Sequence, residues 1–272
     1  TDTSGEIRGD YDIIYVDGEL NHETFWFRTF RYIKTETEGE VYINEMKVME
    51  TGYPISVDTG YDFGGKKDNK LWEISVDTLK CCMHETYEDC PYYEQLQYAM
   101  DTYLQIMFSL RLSDDAALAK RAVHAFAASL QAGDMCQSRF PSITPQYIVG
   151  FSLYIIFMLD AIEKNCGDLT FIKKYLGTVD TVFSGFDELK RSDGLIGKNK
   201  YWNFIDWANG WEEGHGVPES DCGEAFTVYN LMYAEALYTA ARLNRIFGRN
   251  DTAKEYEKIA ESIKKTVKEK CF

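Results

Sequence analysis

The sequence lacks any apolar run of the roughly 20 residues that are needed to cross a bilayer. Its longest apolar stretch, IVGFSLYIIFMLDAI, has a composition that is typical of a buried helix. The N-terminal residues TDTSGEIRGD have no signal-peptide pattern. We therefore expect no membrane-spanning segment in this chain.

Basic residues are also fewer than acidic ones. Lysine and arginine number 29 against 44 acidic residues, so the formal net charge is −15. A negative surface gains nothing from nucleic acid or from an anionic membrane, and we expect neither as a partner. The charge is compatible with neutral and with cationic substrates, and it also keeps a protein soluble.

Several cofactor and catalytic motifs are missing. The chain contains no GxSxG, no GxGxxG and no GxxxxGK[ST], which leaves nucleophilic serine, dinucleotide and P-loop chemistry without support. The segment EEGHG does not have the spacing of HExxH, and the four histidines do not pair with cysteines at zinc spacing. We predict no metal and no cofactor.

The cysteines form no regular framework. Their number is odd, two are adjacent and none forms a CxxC, a pattern that fits a reducing compartment better than a set of disulfides. Unpaired cysteines therefore favour a cytoplasmic location, although the compartment is left open. The seven are Cys81, Cys82, Cys90, Cys136, Cys166, Cys222 and Cys271.

What the chain does contain is core-forming material in two patterns. Hydrophobic residues make up 45% and aromatics 15%, more aromatic content than a plain helical bundle needs. Residues 1–66 alternate with period 2 in DYDIIYVDG, TFWFRTFRYIKTE and EGEVYINEMKVME, which predicts a short antiparallel β segment. Residues 67–272 follow helical spacing, with seven predicted helices: 69–86, 92–112, 114–131, 145–165, 168–191, 220–247 and 250–271. The fold class is therefore mainly α.

The stretch YEDCPYYEQLQYAMD is the first candidate site. With Pro91 at a helix start, Glu94 and Asp101 would lie two turns apart on one face, which they would share with Tyr98. Seven residues span about 10.5 Å along a helix. This exceeds the distance between the two catalytic carboxyls of an inverting or a retaining glycosidase, so these two residues do not make an acid/base couple. The alternative is structural: Asp89 caps the helix and the other two acids are solvated or complement its dipole.

The loop YWNFIDWANGWEEGHG is the second candidate site. It holds three of the five tryptophans beside acidic residues, including Asp206, Trp207 and Trp211. An indole face covers the apolar side of a sugar ring while carboxylates accept hydroxyl hydrogen bonds, so the loop is typical of carbohydrate binding. It could equally pack as an aromatic loop on a helix end. Arg139 in QSRFPS could bind a carboxylate or order its neighbours, and we favour the structural role.

These residues resemble a known family. DCPYYEQLQYAMD is similar to the signature D-C-P-x-R-E-x-x-G-[WY]-x-G-D of bacterial α-L-rhamnosidases, six-hairpin glycosidases with an (α/α)6 toroid. The segment FWFRTFRYIKTE resembles an F-R-Y strand of the upstream β-domain, and FIDW resembles a later G-D-W element. Three positions depart from the signature: Tyr93 replaces arginine, and Gln97 and Met100 replace glycines.

The resemblance implies an inverting hydrolase of rhamnosides or related glycosides that needs no metal. Glu94 matches the general acid, and Asp89 and Asp101 match carboxylates that hold sugar hydroxyls. Trp207 matches an aromatic wall of the pocket, with Asp206 beside it, and Tyr98 and Trp211 are expected to contact substrate as well.

The resemblance also implies that the chain is a piece of a longer protein. Residues 1–66 would be the C-terminal part of a β-sandwich-like domain, and residues 67–272 the N-terminal part of the toroid, which needs about twelve helices. The catalytic base would then fall beyond Phe272, and the piece alone could be inactive. Two other interpretations remain: another (α/α)6 glycosidase with a different sugar, and a non-catalytic carbohydrate-binding piece.

Overall fold

The structure is a computed structural model that describes residues 9, 11–62, 64–130, 135–211, 216–217 and 227–272. Within those residues the chain is mainly helical, as predicted. The elements are a 3₁₀ helix, Val149–Leu153, and eight α-helices: α1 Lys66–Cys81, α2 Ala99–Leu112, α3 Ala117–Ala128, α4 Tyr154–Cys166, α5 Leu169–Lys173, α6 Leu176–Glu188, α7 Thr227–Ile246 and α8 Asn250–Lys270. None of these helices is both long and apolar enough to cross a membrane.

The predicted antiparallel β segment is not found. Residues 11–62 contain no paired strand, and the only bridges that the described residues form are isolated pairs further along the chain. Period-2 alternation specifies a strand only when a neighbouring strand pairs with its backbone and a second layer covers its apolar face. Here Tyr15, Phe25 and Tyr42 are exposed. The β-sandwich-like domain over residues 1–66 stays a prediction.

The helix predicted to begin at residue 92 begins instead at Ala99. Residues 91–94 form a single turn that is not continued. The reason is Gln95, whose φ of +54° lies in the left-handed region and cannot belong to a right-handed α-helix. Glu94 and Asp101 therefore do not share a helix face, and the 10.5 Å helical separation does not apply to them.

Two other predicted helices are shorter or divided. The helix expected over 145–165 begins as the 3₁₀ helix and continues as α4, and the helix expected over 168–191 divides into α5 and α6. The side chain of Asp168 caps α5 by accepting from Phe171 N–H at 3.0 Å. Gly167 ends α4 with φ +63°, the conformation that favours glycine at this position.

Helix α4 lies at the centre of the helical body. It packs against α2, α3, α5 and α7, while α7 and α8 form a long hairpin. One continuous apolar core joins these helices, and its fully buried members include Ile106, Val123, Ile156, Leu159, Val182, Phe186 and Leu237. Arg242 of α7 pairs with Asp160 of α4 at 2.5 Å, which adds a polar tie at the edge of the core.

The cysteines differ from the expectation in one respect. Cys81, Cys82, Cys90, Cys136 and Cys166 are free, but Cys271 is disulfide-bonded. The premise that the cysteines are unpaired is therefore wrong for Cys271. Cys222 lies outside the described residues.

Candidate active site

The first part of the site is a loop that closes on itself before helix α2. The backbone N–H of Asp89 donates to the carbonyl of Leu96 at 2.9 Å, and the Asp89 carboxylate accepts from the N–H of Leu96 at 2.9 Å. These two bonds bring the ends of the loop together and leave residues 91–94 projecting as a turn. Asp89 thus does cap a backbone N–H, but in a loop and not at a helix start.

Glu94 stands at the end of that turn and is exposed. Its backbone N–H donates to Cys90 Sγ at 3.3 Å. The side chain of Gln95 folds back, and its Nε2 donates to the carbonyl of Pro91 at 2.9 Å. The turn therefore presents the Glu94 side chain to solvent from a backbone that is bonded at both ends.

Asp101 lies in the first turn of α2, and most of its side chain is buried. Burial raises the pKa of Asp101 to about 6, and the nearby negative charges of Asp89, Asp206 and Glu94 add to the effect. The fold therefore brings Asp89 of the loop, Glu94 of the turn and Asp206 of the distant tryptophan loop close enough to Asp101 for their charges to act on it.

Tyr98 links the turn to a neighbouring segment. Arg139 Nη1 donates to the Tyr98 hydroxyl at 3.1 Å, and its guanidinium lies 5.7 Å from the centre of the ring. Burial first, and then the nearby Glu94 carboxylate, raises the pKa of Tyr98 to about 12. Arg139 therefore orders its neighbours, the structural role that the sequence favoured, and it does so directly beside the candidate acid.

The second part of the site is the tryptophan loop. The rings of Trp202, Phe204 and Trp207 pack together, with centroids 4.7 Å apart for the first pair and 5.0 Å for the second. The backbone N–H of Asp206 donates to the carbonyl of Gly216 at 3.1 Å, and the Tyr229 hydroxyl of α7 donates to the carbonyl of Phe204 at 2.5 Å. Helix α7 thereby holds the loop against the helical body.

Trp207 and Asp206 are both exposed, so an indole face and a carboxylate are open to a ligand on this loop. Trp211 is half-buried, and its backbone N–H donates to the carbonyl of Ala208 at 3.2 Å. No contact that the described residues make ties the Trp211 ring to the four carboxyls, so its substrate role stays a prediction. Glu212, Glu213 and His215 of the same loop lie outside the described residues.

Sequence reasoning missed Tyr154, the first residue of α4. Burial, followed by the charges of Asp101 and Asp206, raises the pKa of its hydroxyl to about 12. This tyrosine is therefore close enough to one carboxyl from each half of the site to be affected by its charge. A tyrosine inside the apolar run IVGFSLYIIF was the available signal, because a buried hydroxyl needs a polar neighbour.

The described residues contain no group of three or more His, Cys, Asp or Glu side chains placed to hold a metal ion. What they offer instead is a cluster of hydrogen-bond acceptors beside aromatic faces. Carboxylates accept bonds from hydroxyl groups, and a carboxyl with a raised pKa keeps a proton nearer to neutral pH. The arrangement suits a ligand that has many hydroxyl groups and one apolar face.

The family model described as the bacterial alpha-L-rhamnosidase 6 hairpin glycosidase domain matches residues 65–272. That is more than half of the chain, which therefore belongs to this family. No curated protein matches the chain.

Three solved structures share the fold. The match to a GH78 family rhamnosidase of Bacillus sp. GL1 has a TM-score of 0.72 and 21% sequence identity, and it covers 80% of this chain and 22% of the rhamnosidase. The match to a rhamnosidase from Klebsiella oxytoca with rhamnose bound has a TM-score of 0.63 and 18% identity, and it covers 73% of this chain and 37% of that protein. An alpha-L-rhamnosidase from Dictyoglomus thermophilum gives 0.62 at 15% identity, with 74% and 22% covered. The chain thus spans between about a fifth and two fifths of the length of these proteins.

Proposed function

We propose that this chain carries half of the active site of an inverting glycoside hydrolase that acts on rhamnosides or related glycosides. The observation that carries the proposal is the convergence of Asp89, Glu94 and Asp101 with Asp206 from a loop more than 100 residues away. Asp206 is so distant in sequence that it has no local reason to lie near the other three acids. Like charges close together destabilise a fold, and active-site clefts are the places where proteins commonly retain them.

Within this proposal Glu94 is the general acid that protonates the leaving glycosidic oxygen. It is exposed, as a group that must reach substrate has to be, and its backbone is fixed by the turn. The Tyr98 hydroxyl lies close enough to the Glu94 carboxyl for that carboxyl to raise the pKa of Tyr98. Tyr98 therefore positions Glu94, besides any contact that it makes with substrate.

The other residues form the sugar pocket. Asp89 and Asp101 accept hydrogen bonds from sugar hydroxyls, and Trp207 provides the apolar wall, with Asp206 and Trp211 on the same loop. Inversion also requires a base that activates water on the opposite face of the sugar. The family resemblance puts that base beyond Phe272, and this assignment remains a prediction.

One observation favours a different division of roles. The raised pKa of Asp101, about 6, means that this carboxyl retains a proton closer to neutral pH than an ordinary aspartate does. Asp101 could then be the proton donor, with Glu94 holding a hydroxyl. Its burial argues against this assignment, because a donor must come within about 3 Å of the leaving oxygen.

The test compares leaving groups in the full-length protein. The nitrophenolate of a nitrophenyl rhamnoside leaves readily without protonation. The alcohol of an alkyl rhamnoside leaves only when the acid protonates its oxygen. We expect Glu94→Gln to lower kcat on the alkyl substrate by about 10²–10⁴-fold and to have a much smaller effect on the nitrophenyl substrate. Glu85→Gln, an exposed glutamate outside the turn, is the matched control.

If Asp101→Asn selectively slows the alkyl substrate and Glu94→Gln does not, then Asp101 is the proton donor and Glu94 holds a hydroxyl. Undiminished turnover in both variants would contradict the placement of the acid. Sugar binding without turnover in the full-length protein would instead favour a non-catalytic carbohydrate-binding function. Turnover of a different glycoside, with none of rhamnoside, would identify another six-hairpin glycosidase.

A further inference from the structure

We propose that residues 26–29, here called the arm, are positioning residues that hold the turn carrying Glu94. The arm lies upstream of residues 65–272, the part that matches the family model. The candidate active site would therefore depend on a segment outside the helical domain. The structural claim stands without the proposed function, and only its consequence for catalysis rests on it.

The first contact fixes the start of the turn. The Thr29 hydroxyl donates to the carbonyl of Pro91 at 2.5 Å. Gln95 Nε2 donates to the same carbonyl at 2.9 Å. The carbonyl thus uses both of its acceptor positions, one toward the arm and one across the turn, and its orientation is fixed by two separate segments.

The second contact fixes the end of the turn. Trp26 Nε1 donates to Gln95 Oε1 at 2.9 Å. Gln95 has φ +54°, which costs free energy in any residue that has a Cβ and persists only when its surroundings hold it. Both ends of the Gln95 amide are bonded, one to the turn and one to the arm, and this pairing is what holds the left-handed residue in place.

The third contact anchors the arm to the helical body. Phe27 stacks on His84 with centroids 3.8 Å apart and an interplanar angle of 9°. His84 Nδ1 lies 2.9 Å from Glu88 Oε2, and Glu88 is fully buried. Residue 88 directly precedes Asp89, so the arm is attached beside the loop on which the carboxyl cluster is built.

The turn needs this support because core packing does not back its own hydrogen bonds. Tyr92, Tyr93 and Glu94 are all exposed, so no core packing fixes the turn. An acid that protonates a leaving group must be held within about 0.5 Å of its productive position. Thr29 bonds the backbone at the start of the turn, and Trp26 bonds the side chain of Gln95 at its end. These two bonds supply the restraint, and neither is made to the Glu94 side chain.

The test removes the two hydrogen bonds without removing the ring or the branched side chain. In the 272-residue chain, the double variant Trp26→Phe/Thr29→Val is compared with Thr24→Val, an exposed threonine two residues before the arm. Hydrogen exchange is followed by mass spectrometry on peptides covering residues 91–98. We expect exchange about 10-fold faster in the double variant, and no change in Thr24→Val.

Peptides from α7 and α8 should exchange at the wild-type rate in both variants, because the arm does not touch them. Unchanged exchange over residues 91–98 in the double variant would overturn the proposal, as would an equal acceleration in every helix. In the full-length enzyme the same variant should lower kcat about 10-fold with little change in KM. If the wild-type enzyme has no glycosidase activity, the proposed function fails while the exchange result still decides the role of the arm.

Discussion

Asp101 is the residue whose ionised form is most clearly destabilised by folding. Its carboxyl is largely buried and feels the negative charges of Asp89, Asp206 and Glu94, and both effects favour the protonated form. The energetic cost falls on the ionised form alone. Stability and pH are therefore linked at this residue.

The direction of that linkage follows from the raised pKa. Between the ordinary value of 3.8 and about 6, the folded chain holds a proton that the unfolded chain has released. The contribution of Asp101 to stability is therefore fully present below about pH 4 and is lost as the pH rises through about 6.

We predict that Asp101→Asn stabilises the chain at pH 7.5 by about 3 kcal/mol, since the shift from 3.8 to about 6 is two pKa units of about 1.4 kcal/mol each. At pH 4 the variant and the wild type should differ much less, because the Asp101 carboxyl is then protonated in the folded chain and carries no buried charge. Urea unfolding at the two pH values measures the difference. A gain that is equal at both pH values would show that the amide acts through packing or hydrogen bonding and not through charge.

At the scale of elements, the sequence predicts what lies inside the segments better than where they begin. Helical spacing identified the helical region, because the periodicity of an apolar face is visible in the sequence. It failed at Gln95, where a left-handed residue stops a helix that Pro91 would favour starting. The interactions that maintain Gln95 come from Trp26 and Pro91, and the former is 69 residues away.

The candidate site shows the same division. The residue types of the site, acids and indoles at particular spacings, could be read from the sequence. Their convergence could not be derived from spacing, since Asp206 comes near Asp101 only because α4 and α7 pack together. The family resemblance supplied that pairing, and neither the spacing nor the resemblance pointed to Tyr154.

The tryptophan loop depends on a close approach at Gly216. A Cβ there would lie 2.5 Å from the Phe204 ring and 2.8 Å from the Asp206 carbonyl oxygen, and the φ of +67° already disfavours any other residue. We predict that Gly216→Ala destabilises the chain by about 2–4 kcal/mol and displaces the indoles, which changes the tryptophan emission spectrum.

Gly210 provides the matched control, because it lies in the same loop with φ +85°, and a Cβ added there would meet no atom within 4 Å. Gly210→Ala should cost only the backbone strain of about 1–2 kcal/mol and leave the emission spectrum unchanged. Thermal unfolding and fluorescence distinguish the two variants. Equal losses in both would mean that the contact with Phe204 is unimportant.

At the scale of the whole molecule, a single apolar core serves both the helical hairpins and the site. Leucine, isoleucine and phenylalanine side chains from α2, α4, α6 and α7 belong to one continuous cluster, and Phe204 of the tryptophan loop belongs to it too. Loosening the core should therefore loosen the site. We expect the helical signal and the tryptophan signal to be lost together on heating.

Ile156 in α4 tests this coupling, because it is fully buried at the centre of the core. We predict that Ile156→Ala lowers the free energy of unfolding by about 2–5 kcal/mol, since truncation removes buried methylene groups and leaves a cavity. Ile74→Ala deletes the same atoms from α1 at a position that is half exposed, and it should cost less than about 1 kcal/mol. Circular dichroism and tryptophan fluorescence should report the same midpoint in each variant. If Ile156→Ala instead separated the two midpoints, the tryptophan loop would be a unit that unfolds independently of the helical core, and the site could be redesigned without regard to the packing beneath it.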